Sequence, residues 1–136
     1  MSGPIVVGLD GSEPSRRALE MATRLSASLG VDLVAAYVPH HSPIVEFAPE
    51  ALAAEREVEA SLEARISDRL TASTPAKLRV LGTRRPGVEL SEFAVALHAE
   101  MIVVATRGRG LMRSATLGSV AHHLVTHSEV PVLVVR

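Results

Sequence analysis

A doubly wound, Rossmann-like α/β domain, with helices on both faces of a parallel sheet, is the architecture this sequence predicts. The most apolar stretches are short and rich in Val and Ile, stretches with helical periodicity separate them, and the two kinds alternate from one end of the chain to the other. Runs that are apolar throughout, instead of at every second residue, are what strands look like when both faces are buried. Strand–helix alternation gives a parallel sheet, because the right-handed crossover lays each helix back on it. At 136 residues a single domain spanning 1–136 is expected.

The elements follow in order. Pro4–Leu9 is the first strand, and Ser15–Leu29 the first helix, with Ala18, Ala22, Leu25 and Leu29 on one face and Gly30 as its stop. Leu33–Val38 is the second strand. Pro39–Pro49, with its prolines and His40-His41, is the one irregular stretch long enough to form a flap. Pro49–Leu70 repeats Val58, Leu62, Ile66 and Leu70 at helical spacing, and Lys77–Leu81 is a weaker strand. Val88–His98 offers Leu90, Phe93, Ala94 and Leu97 to a core, and Met101–Ala105 is again a buried strand. A last helix near Gly118–His127, carrying Val120, Ala121, Leu124 and Val125, precedes the final strand within Val130–Val135.

Composition removes several classes of function. With aromatics at 2%, the chain lacks the rings on which single-stranded nucleic acids stack. A net charge of -1 supplies no broad basic field, so no nucleic-acid partner is expected. The absence of cysteine removes disulfides, thiolate metal sites and thiol nucleophiles, and agrees with a reducing compartment. There is neither a signal-like start nor a membrane-length apolar run, so a cytoplasmic protein without a membrane partner is expected.

Ligands of such folds sit beyond the carboxyl ends of the strands, where the strand order reverses. Those ends carry Asp10-Gly11-Ser12, Val38-Pro39 and Thr106–Gly110. The stretch from Ala105 to Ser119 leaves a strand and enters a helix, with Gly108 and Gly110 able to bring main-chain N–H groups close to a ligand. Gly118-Ser119 opens the helix, where unpaired amides and the positive dipole end favour an anion. Arg107, Arg109 and Arg113 add positive charge, and together these residues read as a phosphate cradle. The stretch has neither the Gly-Lys-Ser/Thr ending of a P-loop nor the GxGxxG of a dinucleotide fold. The bland alternative is a loop punctuated by glycines, with Ser119 capping a helix and the arginines solvated.

These segments resemble the nucleotide-binding universal stress proteins. That family carries glycine, two residues, glycine, nine residues, then Gly-Ser or Gly-Thr after the fourth strand. Gly108, the nine residues 109–117 and Gly118-Ser119 fit, whereas the first glycine position is occupied by Ala105. Ile5–Ser12 is similar to the family's first strand and turn, and Gly118–Ala121 through Pro131–Val135 to its last helix and strand. The resemblance implies strand order 3-2-1-4-5 and an adenine nucleotide, typically ATP with Mg as its counter-ion, lying across the switch point. By the same implication Asp10, with Gly11 and Ser12, lies near adenine or ribose, and Val38 bonds adenine through its backbone. Gly108, Gly118, Ser119 and Val120 hold the phosphates, with Ala105, Arg107 and Arg109 in the same loop. Cyclic AMP is an alternative ligand, and a same-fold interaction protein without nucleotide an alternative function. Family members also commonly form homodimers through the last strand, which here ends the chain with Arg136 as its charged residue.

Other residues suggest less. Asp10 and Ser12 both suit the cap of the first helix. His123 and His127 stand one helical turn apart, but no glutamate lies between them and no third ligand is evident, so no metal site is expected. No nucleophile elbow or general base can be assigned. Slow hydrolysis of a bound nucleotide is the most catalysis the sequence supports, and protein partners stay unassigned.

Overall fold

The computed structural model describes residues 3–38, 49–73, 76–81, 85–107 and 117–136. Five strands, β1 (Ile5–Leu9), β2 (Leu33–Tyr37), β3 (Ala76–Val80), β4 (Met101–Ala105) and β5 (Val132–Val135), alternate with four helices, α1 (Glu13–Leu29), α2 (Pro49–Ser73), α3 (Pro86–Ala96) and α4 (Ser119–His127). The sheet is parallel throughout and runs β3-β2-β1-β4-β5, the order expected. Leu9 is level with Tyr37 and Tyr37 with Val80, while Ala105 is level with Val135, so the carboxyl ends are aligned on either side of the switch between β1 and β4.

Alternation along the strands divides the core in two. Ile5, Val7, Leu9, Leu33, Ala35, Val103 and Ala105 pack with Ala18, Leu19 and Ala22 of α1. Val6, Ala36, Val38, Ile102 and Val104 pack with Leu90 and Ala94 of α3 and with Ala121 and Leu124 of α4. On this second face α3 comes so close to β1 that a Cβ on Gly8 would stand 2.9 Å from Leu90 Cδ2. Among the described residues no helix is long and apolar enough to cross a membrane.

Element bounds depart from the sequence expectation where prolines are involved. α1 begins at Glu13 and α3 at Pro86, because Pro14 and Pro86 fall in first turns, where a missing N–H costs no helical bond. Two apolar faces also differ. In α2, Val58 is 55% exposed while Glu59 is buried, because that helix meets the sheet along one flank beside the edge strand β3. In α4, Val125 is 56% exposed, and Val120, Ala121 and Leu124 alone turn inward. The irregular stretch 39–48, named above as a flap, lies outside the described residues.

The end of α3 carries backbone strain. Ala99 N–H donates to Ala94 O and His98 N–H to Val95 O, both at 3.0 Å, which is the Schellman pattern. The residue that must turn left-handed there is His98, with φ 52°, where glycine is usual. His98→Gly should therefore stabilise the protein by about 0.5–1 kcal/mol, the side-chain strain outweighing glycine's extra chain entropy. Urea denaturation checks this: the midpoint should rise at unchanged slope, and an unchanged or lower midpoint contradicts a strained His98.

Candidate functional site

Three backbone segments meet at the carboxyl edge of the sheet. At the exit of β1, Asp10 Oδ1 accepts from Ser12 N–H at 2.9 Å, closing a tight turn. Ser12 is the N-cap of α1: its Oγ accepts from Ser15 N–H at 3.3 Å, and Ser15 Oγ donates to Ser12 O at 2.8 Å. Both candidate caps are thus used, Ser12 on the helix and Asp10 on the turn before it. Between them Gly11 has φ 85°, and a Cβ there would stand 3.0 Å from Leu62 Cδ2 of α2. Glycine is required there by conformation, and Leu62 leaves little room for a side chain.

At the exit of β2, Val38 N–H donates to Leu9 O at 2.7 Å, extending the β1–β2 ladder past the strand end. That N–H is committed to the fold, so the carbonyl is the group of Val38 that can face a ligand. The side chain of Val38 is buried in the α3-side core.

At the exit of β4, Ala105 is 8% exposed and packs in the α1-side core opposite Val135. His98 alone among the described non-glycine residues has a positive φ, so Ala105 sits in ordinary strand conformation. Its methyl group is accommodated without strain. Thr106 N–H donates to Val135 O at 2.9 Å, and Gly118 N–H to Thr106 O at 2.5 Å. The latter bond fastens the start of α4 to the end of β4. Arg107 is exposed beside it, while Gly108 and Arg109 lie outside the described residues.

Gly118 is the N-cap of α4, with φ -68°, and no side chain caps the helix. Ser119 is exposed, and Val120 packs against the α3-side core. The first-turn N–H groups of Ser119, Val120 and Ala121 precede any i−4 partner within the helix, so they face the carboxyl edge with the positive end of the dipole behind them. The sequence-derived residues that are described, Asp10, Gly11, Ser12, Val38, Ala105, Arg107, Gly118, Ser119 and Val120, therefore flank one switch point. Ala105 and Val38 are core residues, and Val120 packs against the core.

Two features escaped the sequence reading. Tyr37 OH donates to Glu59 Oε2, both residues being buried, and Leu62 covers Gly11. Glu59 belongs to the polar side of an apparently amphipathic helix, so periodicity gave no sign of it. His123 and His127 stack with ring centroids 4.7 Å apart, and a Cβ on Gly87 of α3 would touch the His123 side chain. Among the described residues no three His, Asp or Glu side chains gather as a metal-ligand group. A shallow depression of about 350 Å³, lined by Leu124, Val125 and residues 128–132, lies at the opposite end of β5.

A parallel sheet in this order, with a glycine turn after β1 and an uncapped helix start after β4, defines a doubly wound protein of the kind that receives ligands at its switch point. The family model of the universal stress protein family matches residues 1–136, and the chain belongs to that family. A universal stress protein of Mycobacterium tuberculosis is 37% identical over 142 residues; the match covers 98% of this chain and 44% of that protein, so the chain spans under half of that relative's length. The structure of UspA from Lactobacillus plantarum aligns with a TM-score of 0.74 at 21% identity, covering 98% of this chain and 97% of the other. A universal stress protein crystallised in complex with cAMP aligns with a TM-score of 0.70 at 25% identity, with the same coverage of 98% and 97%.

The geometry at Gly11 makes a direct prediction. Gly11→Ala should cost about 1–2 kcal/mol, the penalty of a left-handed L-residue, before any contact with Leu62 is counted. Pairing it with Leu62→Ala should restore only the packing part of the loss. Equilibrium denaturation of both variants checks this, and a Gly11→Ala protein as stable as the parent contradicts the φ assigned to the turn.

Proposed function

We propose that this chain binds an adenine nucleotide across the switch point and works as a nucleotide-responsive regulatory module of the cytoplasm. The observation that carries the reading is the bond from Gly118 N–H to Thr106 O, which brings an uncapped helix start to the strand edge that also holds Asp10-Gly11-Ser12 and Val38. In this reading Asp10 and the Val38 carbonyl face adenine and ribose. The Ser119 hydroxyl and the amides of Ser119 and Val120 take the phosphates, with Gly118 leaving room for their approach. Arg107, Gly108 and Arg109 belong to the same loop.

The absence of strain at Ala105 supports retention of binding despite the missing glycine. The family member solved with cAMP supports an adenine ligand, and its single phosphate makes cyclic AMP a ligand to test beside ATP. Mg accompanies ATP as a counter-ion held by phosphate oxygens and water, since no protein cage of ligands is formed among the described residues. The nucleotide acts by its differential affinity for two states of the protein, which a partner distinguishes.

ATP, ADP and cyclic AMP are to be compared in thermal scans. A ligand that binds only the native state, at about a hundred times its Kd, adds about 2.7 kcal/mol of stability. At least one should raise the midpoint, and Gly118→Val, whose backbone conformation suits valine, should fold yet lose the shift. No shift of the parent with any of the three contradicts the function, and a shift retained in Gly118→Val contradicts the phosphate assignment.

The same reading includes a homodimer through β5. The two sheet edges differ in charge: β3 exposes Lys77 and Arg79 beside Val80 at 49%, whereas β5 exposes Leu133 at 37% and has no charged residue within the strand. Charged edges resist pairing and apolar edges invite it. Antiparallel pairing of β5 about a two-fold axis satisfies its outer backbone groups. Sedimentation equilibrium should give twice 14.4 kDa, falling toward one copy in the variant Leu133→Lys/Val135→Lys. A monomeric parent at tens of micromolar (roughly the range of weak association) contradicts the dimer.

A further inference from the structure

Helix α2 packs against the proposed ligand site through Glu59 and Leu62. One turn of α2 reaches both strands that carry the adenine end. Glu59 accepts the hydroxyl of Tyr37, the last residue of β2, immediately before Val38. Leu62, one turn along, presses on Gly11 in the turn that ends β1. Val58 beside them is largely exposed, while Leu62 and Ile66 are partly buried and Ile66 packs on the α1-side core, so residues 59–66 carry α2's described contacts with the sheet.

Each contact restrains a backbone group that would otherwise have freedom. Gly11 has no side chain of its own, and glycine samples φ of either sign. With Leu62 above it, the peptide planes of Asp10-Gly11-Ser12 are held in one arrangement. The Tyr37–Glu59 bond is buried, where a hydrogen bond is stronger than one at the surface. It fixes the end of β2, from which the Val38 carbonyl projects, while Val38 N–H is fixed by Leu9 O.

We infer that Tyr37, Glu59 and Leu62 are positioning residues for adenine recognition, and that α2 consequently responds to nucleotide it does not touch. The inference rests on the proposed adenine site and adds a mode of regulation to it. Coupling of this kind is reciprocal: whatever holds α2 in place favours nucleotide, and nucleotide holds α2 in place.

The test compares the parent with Tyr37→Phe, Leu62→Ala and Glu59→Gln, by calorimetric titration with cyclic AMP and ATP well below each unfolding midpoint. Tyr37→Phe and Leu62→Ala should each raise Kd roughly five-fold, the worth of one net hydrogen bond or a comparable packing contact. Glu59→Gln keeps an acceptor for the phenol and should stay within about two-fold of the parent. Backbone hydrogen exchange supplies the readout that simple loss of stability does not imitate. Saturating nucleotide should slow exchange across residues 56–66 in the parent and in Glu59→Gln, and much less in Tyr37→Phe. Should Tyr37→Phe fail to fold, Leu62→Ala decides by the same two measurements. Tyr37→Phe and Leu62→Ala proteins that bind as tightly as the parent, or an α2 whose exchange ignores nucleotide in the parent, overturn the inference and leave the adenine site standing. A parent that binds neither nucleotide overturns the site itself, and the positioning role with it.

Discussion

β1 is walled on every side: Ile5, Val6 and Val7 have no solvent exposure, β2 and β4 flank it in parallel, α1 packs on one face and α3 on the other. Such a strand can carry no polar side chain, and its backbone groups are consumed by its neighbours. The chain can leave it only at the carboxyl end, and there it must turn at once into α1. Gly11 makes that turn possible and Ser12 caps the helix that follows. Because β2 lies to one side and β4 to the other, the connections diverge at this point and a crevice opens between them. The site is thus a consequence of burying a central strand completely.

The same constraint explains which chemistry the crevice presents. Its floor is backbone: a glycine turn, a carbonyl after β2, and helix amides after β4 held by Gly118 N–H on Thr106 O. Under the proposed function, these main-chain groups meet a ligand with a hydrogen-bonding flat edge at one end and an anion at the other, the chemistry of an adenine nucleotide. The polar side chains there, Asp10 and Ser12, already serve the fold as turn and cap.

Much of this was legible in the sequence. Val- and Ile-rich runs without alternation located the inner strands, and Gly30 stopped α1 where its left-handed φ of 67° shows it must. The glycine spacing around Gly108 and Gly118-Ser119, with the turn at Asp10-Gly11-Ser12, indicated the switch point and the family. Strand order needed the resemblance, since alternation alone allows several arrangements. What stayed hidden depends on contacts between distant residues. That Ala105 is unstrained follows from its partner Val135 thirty residues on; that Glu59, not Val58, turns inward follows from a phenol on another element. His98 carries a left-handed φ because the Schellman bonds of α3 impose one, although its own side chain disfavours it.

In the proposed function, adenine nucleotide lies at the carboxyl edge, spanning the β1 turn, the end of β2 and the start of α4. Amide NMR of the isotopically labelled protein, titrated with cyclic AMP and with ATP, tests it most directly. The signals of Gly11, Ser12, Gly118, Ser119 and Val120 should move together along one saturable curve, while those of residues 128–132, at the opposite end of β5, stay in place. Shifts confined to that opposite end, or none at saturating nucleotide, would contradict the account.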